Sequence, residues 1–137
     1  MEKDKEDQKK EKEKEKEKED QKELEAEAFC ENTLRTGANL IINKRLIKAF
    51  GIEAAIFLED LVSKKRYFRK RGMLEDDWFY NTQKNREEDT GLTNLKQTKA
   101  IALLTKHGIL STKNKGAPPK KYFKIYHSVI VSFLTKI

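Results

Sequence analysis

The chain has 137 residues, of which 39% are charged, and a formal net charge of +7. No apolar run approaches the roughly 18 residues needed to cross a bilayer, and the charged start excludes a secretory signal peptide. The single cysteine, Cys30, cannot form an internal disulfide, which fits a reducing compartment. The sequence therefore predicts a soluble protein of the cytoplasm.

Charge divides the chain into two regions. Residues 1–28 carry 9 lysines and 13 acidic side chains, a net charge of −4, which leaves +11 on residues 29–137. We therefore expect a charged leader, 1–28, followed by one domain, 29–137. A domain with this excess of positive charge repels itself unless it meets an anionic partner. Nucleic acid is the first such partner, and an anionic membrane surface is the second.

The leader contains the alternating run EKEKEKEK at Glu11–Lys18. Like charges stand four residues apart and opposite charges three apart. In a helix, the attraction between the opposite charges would be offset by the repulsion between the like charges. Because the run offers no apolar stripe, the sequence predicts disorder or a frayed helix for residues 1–22. It also lacks the heptad pattern of an oligomerising coiled coil. A weak apolar pattern at 24–34 predicts a short helix that docks on the domain or on a second copy.

Two helices open the predicted domain. An extended segment at 39–42 leads to Asn43, an N-cap for a helix that ends at Phe50, before a glycine. Apolar residues at helical spacing then predict a longer helix from Ile52 to Lys70. Its broad buried face consists of Ile52, Ala55, Ile56, Leu58, Leu61, Val62 and Phe68.

The far end of this longer helix is strongly basic, with the cluster Lys64, Lys65, Arg66, Arg69, Lys70 and Arg71. Three interpretations are open: additional phosphate contacts, a surface for a protein partner, or a solvated helix end whose cations complement the helix dipole. The candidates for the phosphate contacts are Lys64, Lys65, Arg69 and Arg71.

A short strand and two further helices follow. Trp78–Tyr80 is aromatic enough for a strand. Thr82 is the N-cap of a polar helix, Gln83–Thr90, and Thr93 is the N-cap of a second helix, Asn94–His107. A glycine follows each of these helices and ends it.

The last predicted elements form a hairpin. Residues 109–113 and 121–126 flank the loop Gly116–Pro119, which cannot lie inside a central strand because proline has no N–H to donate. The tail, His127–Ile137, is expected to pack back as a strand or a short helix. Helix, glycine-containing turn, helix and two-stranded ribbon is the order of a winged helix-turn-helix. The predicted fold class is therefore α+β, mainly α, with a wing sheet of two or three strands.

The second helix of the pair is the candidate recognition helix. Ala100, Ile101 and Leu104 mark its buried side, and Gln97 joins them, which favours a hydrogen-bonded core glutamine over a base reader. Lysine can donate to guanine and asparagine can pair with adenine, while a helix N-terminus suits a phosphate. The candidate DNA contacts are Thr93, Asn94, Lys96, Thr98 and Lys99. The alternative is a lysine-rich face that is only solvated.

The predicted wing carries the second group of candidate DNA contacts, Lys113, Lys115, Lys120 and Lys121. A lysine-edged hairpin can follow the phosphate backbone or enter the minor groove, and its prolines reduce the entropy lost on ordering. Strand alternation separates Phe123 and Ile125 from Tyr122, Lys124 and Tyr126, so that one set packs and the other stays near solvent. Alternatively, the lysines protect an exposed strand edge from pairing with other chains.

The sequence shows no constellation for catalysis or metal binding. His107 and His127 are isolated, and no cysteines or histidines pair at ligand spacing. The acidic runs 75–77 and 87–89 are adjacent carboxylates of the kind that is usually solvated. A phosphate-cradling glycine loop is also missing. We therefore expect no enzyme activity, no cofactor and no metal.

Residues 78–125 resemble the winged-helix domains of replication-initiation and replisome-organiser proteins from phages and plasmids of Gram-positive bacteria, and residues 42–62 resemble their leading helices. The shared motifs are FY-x-T, EDTGLT, Q-x-K-A-I, HGIL and KG-x-P. Similar domains also occur in regulators of mobile elements. The resemblance implies DNA contacts at the start of the third helix and on the wing, at Asn94, Lys96, Thr98, Lys99, Lys113 and Lys115.

Two hypotheses for function follow. The first is sequence-specific binding of double-stranded DNA in transcriptional regulation or replication initiation of a phage or plasmid. It includes a homodimer formed through residues 29–42 or the tail, and a replication or transcription protein as a further partner. The second is a protein–protein adaptor that uses the winged helix as a scaffold. Membrane binding ranks third, because the basic residues lack an exposed apolar stripe.

Overall fold

The computed structural model describes residues 2–35 and 39–135 of the chain. They belong to two compact units, which divide after Asn39. The first unit contains one helix, α1, which runs from Glu2 to Arg35. The division predicted from charge, after residue 28, falls inside this helix.

α1 is one continuous, exposed helix. The sequence predicted disorder or a frayed, solvated helix over 1–22, and a short helix over 24–34. All residues of α1 are exposed, including Leu24, Phe29 and Leu34. Helix propensity explains the continuity, because glutamate, lysine, glutamine and alanine rank high and no glycine or proline interrupts the segment. The helix propensity of these residues therefore outweighs the small, opposing effects of the charge pairs.

The second unit contains five helices and three strands in its described residues. These are α2 Lys44–Phe50, α3 Ile52–Lys70, β1 Phe79–Tyr80, α4 Gln83–Thr90, α5 Asn94–Lys106, β2 Leu110–Lys115, β3 Lys120–Ile125 and α6 His127–Leu134. The strands form one antiparallel sheet in the order β1-β3-β2. The predicted fold class is confirmed: the chain is α+β and mainly α, with a winged-helix-like architecture and a three-stranded sheet.

The helix starts follow the predicted capping residues. Asn43 Oδ1 accepts a hydrogen bond from the Arg45 N–H at 2.8 Å, and Thr82 Oγ1 accepts one from the Asn85 N–H at 3.0 Å. Thr93 Oγ1 caps α5 in the same way, at 3.4 Å. Each cap satisfies a backbone donor that the first turn of a helix leaves without a partner.

One face of the sheet is buried and the other is at least partly exposed, as the alternation of side chains along β3 predicted. Phe123 and Ile125 are buried, while Tyr122, Lys124 and Tyr126 remain at least partly exposed. Pairing between β2 and β3 continues up to the Gly-Ala-Pro-Pro loop, so both strands extend nearer to that loop than the sequence predicted. We call the β2–β3 hairpin the wing.

The core surrounds α3. The Phe123 ring lies 6.2 Å from the Phe57 ring and 6.1 Å from the Phe79 ring. Phe57 is fully buried although it was outside the predicted face, and Ile52, which was inside that face, is 49% exposed. α3 contacts α2, α4 and α5, so more of its circumference is covered than a single apolar stripe indicates.

α6 closes one end of the core. The Phe133 ring lies 4.7 Å from the Phe50 ring and 5.7 Å from the His107 imidazole. Arg45 donates a hydrogen bond to the Leu134 carbonyl and so ties α2 to α6. The tail, which was predicted as a strand or a short helix, is therefore a helix, although residues 136–137 lie outside the described residues. Residues 36–38 of the predicted dimer segment also lie outside them.

Asp60 is a buried carboxylate on α3. Its Oδ2 accepts a hydrogen bond from the Lys64 ammonium at 2.7 Å, and the same ammonium lies 3.1 Å from the Asp89 carboxylate. Burial raises the pKa of Asp60 above its ordinary value of 3.8, and Lys64 opposes part of this rise. The charged form of Asp60 therefore costs stability in the folded protein.

Because the Asp60 carboxylate is buried, we expect the stability of the protein to depend on pH in a way that the variant Asp60→Asn will lack. As pH rises from 3.8 through the raised pKa, the folded state keeps a proton that the unfolded state has released, so the stability of the wild type falls relative to that of the variant. Urea unfolding of both proteins over a pH series measures the difference. A difference that stays constant with pH would contradict the buried charge.

Candidate nucleic-acid interface

α4, a tight turn and α5 form the helix-turn-helix. Gly91 ends α4 with a φ of 73°, a left-handed conformation that glycine adopts without the steric cost of a side chain. Leu92 then points inward and is buried, and Thr93 caps α5. The sequence of the turn thus fixes where the candidate recognition helix begins.

Arg86 and Gln97 lock α4 against α5 beneath this turn. Arg86 is only 4% exposed; its Nε donates to Gln97 Oε1 at 2.8 Å and its Nη1 donates to the Asn81 carbonyl at 2.8 Å. Gln97 Nε2 donates to the carbonyls of Leu92, at 2.8 Å, and Gln83, at 3.2 Å. The prediction that Gln97 is a hydrogen-bonded core residue is confirmed.

The Arg86 guanidinium is held in the core by rings as well as by hydrogen bonds. Its carbon lies 5.0 Å from the centre of the Phe123 ring, within the range of a cation–π contact. Burial lowers the pKa of Arg86, and the nearby Asp60 carboxylate offsets part of this effect. Sequence reasoning missed Arg86, because an arginine on a short polar helix has the pattern of a solvated residue.

The predicted contacts at the start of α5 are all exposed: Thr93, Asn94, Lys96, Thr98 and Lys99. The Lys96 ammonium lies 3.1 Å from the Glu53 carboxylate, and both side chains are about half exposed. An exposed pair of this kind contributes about 0–1 kcal/mol, so Lys96 can exchange Glu53 for a phosphate. Thr98 donates to the Asn94 carbonyl at 2.9 Å, which commits its proton within the helix.

Leu95 is a further candidate contact that the sequence reasoning did not single out. It is 64% exposed, on the side of α5 opposite to the buried Gln97. An exposed apolar side chain at the start of a recognition helix can contact the methyl group of thymine. The signal was present in the sequence, because position 95 is out of phase with Gln97, Ala100 and Leu104.

The predicted wing lysines also reach the surface. Lys113, Lys115 and Lys120 are exposed, and Lys121 is partly exposed. Lys115 pairs with the Glu75 carboxylate at 3.3 Å, where both side chains are more than half exposed. This exposed pair is weak enough to be exchanged for a phosphate.

A cleft joins the start of α5 to the wing. It has a volume of about 320 Å³, and its walls include Asn94, Lys120 and Lys121. A second cleft, of about 310 Å³, lies between α5 and the α2–α3 junction and contains Lys96 and Lys99 in its walls. The structure thus brings Asn94 together with Lys120 and Lys121, and it places Lys96 and Lys99 in a different cleft. Lys113 and Lys115 line neither of these two clefts.

The basic cluster at the end of α3 does not join them. Lys65 is only 4% exposed and burial lowers its pKa, so the predicted phosphate contact at Lys65 is wrong. Lys64 is partly exposed, but its ammonium already pairs with the carboxylates of Asp60, at 2.7 Å, and Asp89, at 3.1 Å, which disfavours a phosphate contact there.

Arg69 and Arg71 are exposed at the far end of α3, and the Arg71 guanidinium lies 4.2 Å from the Tyr67 ring centre. Along the helix, Arg69 is about 24 Å from Glu53, the partner of Lys96. The two arginines therefore form a surface separate from the start of α5.

Within 2–35 and 39–135, no group of histidine, cysteine and acidic side chains has an arrangement that could hold a metal ion. No helix in the same residues is long and apolar enough to cross a membrane.

Comparison with known proteins found a likeness in structure. No protein-family model matches the sequence, and no curated protein matches it. Among solved structures, the chain is similar to one described as the N-terminal domain of DNA binding protein. The TM-score is 0.51 at 16% sequence identity, over 70% of this chain and 78% of that one. At this identity the likeness concerns the fold.

Proposed function

We propose that the second unit binds double-stranded DNA, with the start of α5 in the major groove and the wing against the adjacent backbone. The observation that carries this proposal is the cleft in which Asn94 of α5 meets Lys120 and Lys121 of the wing. A protruding helix beside a second group of cations matches the two kinds of contact that proteins make with a duplex. The similar structure described as a domain of a DNA binding protein supports this function.

The side chains suit two different tasks. Asn94 can pair with adenine, Lys96 can donate to guanine, and Lys99 can contact a phosphate. Leu95 adds an apolar contact for thymine. The wing lysines supply phosphate contacts, which position the protein without reading sequence. Together they would give sequence-specific binding with a large electrostatic component.

The sequence motifs shared with phage and plasmid proteins favour a role in transcriptional regulation or replication initiation of a mobile element. We place this role in the cytoplasm. A homodimer would present two α5 helices to two half-sites of one binding site, about one helical turn apart. In this proposal, a replication or transcription protein is the further partner.

The salt dependence of binding tests the proposal. Phosphate contacts by five lysines, at 99, 113, 115, 120 and 121, predict that the logarithm of the association constant falls with the logarithm of salt concentration at a slope of about −4.5. Fluorescence anisotropy of the full chain with a duplex selected from a random library measures this slope. Negligible duplex affinity even at low salt would contradict the proposal and favour the adaptor hypothesis.

A further inference from the structure

The face of the sheet that points away from the core carries aromatic rings and lysines together. Tyr80 and Tyr122 are directly paired across β1 and β3, with ring centres 5.9 Å apart, and Lys113 on β2 is the next partner of Tyr122. We call this surface the outer sheet face. It consists of Trp78, Tyr80, Tyr122 and Tyr126 with Lys113, Lys115, Lys120 and Lys124.

A lysine ammonium lies over each ring of the outer sheet face. The distances from Nζ to ring centre are 4.2 Å for Lys113 and Trp78, 5.0 Å for Lys120 and Tyr80, 5.6 Å for Lys124 and Tyr126, and 5.9 Å for Lys115 and Tyr122. The rings are all partly or fully exposed. Cations and π surfaces therefore lie together along a strip about 20 Å long, the length of β3. A base that stacks on one of these ring faces would take the place of the ammonium over it.

Trp78 is held on this face by a strained turn. Glu75 and Trp78 exchange two backbone hydrogen bonds, of 2.8 and 3.2 Å, and the two residues between them, Asp76 and Asp77, have φ values of 50° and 68°. A turn with two left-handed residues is tight and sterically costly for side chains other than glycine. Such a turn fixes the position of the tryptophan that follows it.

We propose that the outer sheet face binds a single strand of DNA. Every base has a π surface that can stack on an exposed aromatic ring, and the neighbouring ammonium groups can neutralise the phosphates between successive bases. Four lysines on one strip supply this charge complementarity. The site accepts single-stranded rather than duplex DNA, because the bases of a duplex are stacked on each other and cannot reach the rings.

The acidic residues near this surface leave most of its positive charge available. Glu75 pairs with Lys115 through an exposed contact of 3.3 Å, which a phosphate can replace. Asp77 acts electrostatically on Lys65 and His127. At the other end, the hydroxyls of Ser111 and Tyr126 bond to each other at 3.0 Å. The choice of DNA over RNA rests on the proposed function, which places DNA on the adjoining α5.

Trp78, the single tryptophan of the chain, provides a direct test. We expect an oligothymidylate of about 12 nucleotides to quench the indole fluorescence of the full chain as a base stacks on the ring. Tyr122→Leu keeps an apolar side chain but removes the stacking ring, so it should weaken this binding about tenfold. If thermal unfolding shows that Tyr122→Leu is not folded, the variant Tyr126→Leu, at the exposed end of the strip, provides the same comparison.

The control variant is Lys99→Gln on α5, which should weaken duplex binding and leave oligothymidylate binding unchanged. This pair of variants separates the present proposal from duplex binding by α5, since either activity can be lost alone. Unchanged indole fluorescence, or equal oligothymidylate affinity in a folded Tyr122→Leu or Tyr126→Leu variant, would overturn the proposal. Tighter binding of oligouridylate than of oligothymidylate would overturn the assignment to DNA.

Discussion

Reversing two charges in the double variant Lys96→Glu/Lys99→Glu is expected to weaken duplex binding by at least about 100-fold, since hydrogen bonds to charged groups contribute about 1.5–3 kcal/mol each. Both lysines line the cleft between α5 and the α2–α3 junction. The salt slope should also become shallower by about 0.9, the value for the lost phosphate contact of Lys99. Anisotropy titrations over a salt series measure both effects.

A matched control separates this local effect from the change in net charge. Arg66→Glu/Lys70→Glu changes the charge by the same amount at exposed positions near the far end of α3. We expect its effect on duplex affinity to be several-fold smaller, because exposed charges more than about 10 Å from the DNA are screened. Equal losses from the two double variants would show that α5 has no special part in binding.

Replacing Arg86 by methionine is expected to cost about 3–5 kcal/mol of stability, the usual effect of breaking a buried charged network. The change leaves Gln97 Oε1 and the Asn81 carbonyl without their 2.8 Å donor and removes a positive charge near Asp60. For a unit of about 100 residues this corresponds to a fall in Tm of more than 10 °C. Thermal unfolding followed by circular dichroism measures it.

The control for this variant is Lys84→Met, an exposed position on the same short helix. A surface substitution of this kind should change stability by less than about 0.5 kcal/mol. If Arg86→Met unfolded at the same temperature as Lys84→Met, the buried hydrogen bonds would not be what holds α4 against α5.

The order of elements could be predicted because local chemistry marks the boundaries. Asn43, Thr82 and Thr93 are N-caps in the structure as predicted, and Gly91 ends α4 in the conformation that glycine favours. These signals depend on a few neighbouring residues. The strand ends were less accurate, because pairing across a sheet, rather than local sequence, determines how far a hairpin extends.

Residues whose roles depend on distant partners could not be predicted. Arg86 and Lys65 have the pattern of solvated cations, yet both are buried among elements that are remote in sequence. Phe57 is buried because several helices and the sheet surround α3. Among the candidate contacts, helix phase would have identified Leu95, whereas the aromatic composition of the outer sheet face emerges only from the register of three strands.

Tyr80 and Lys120 belong to the outer sheet face and also line the cleft beside Asn94. The two surfaces therefore share a border, and a double helix seated on α5 would end or melt within reach of the aromatic strip. The affinity of α5 for duplex DNA and the affinity of the outer sheet face for a single strand would then combine on a forked DNA, which contains both forms. A protein of this design would favour a partly opened junction over either an intact helix or an isolated strand.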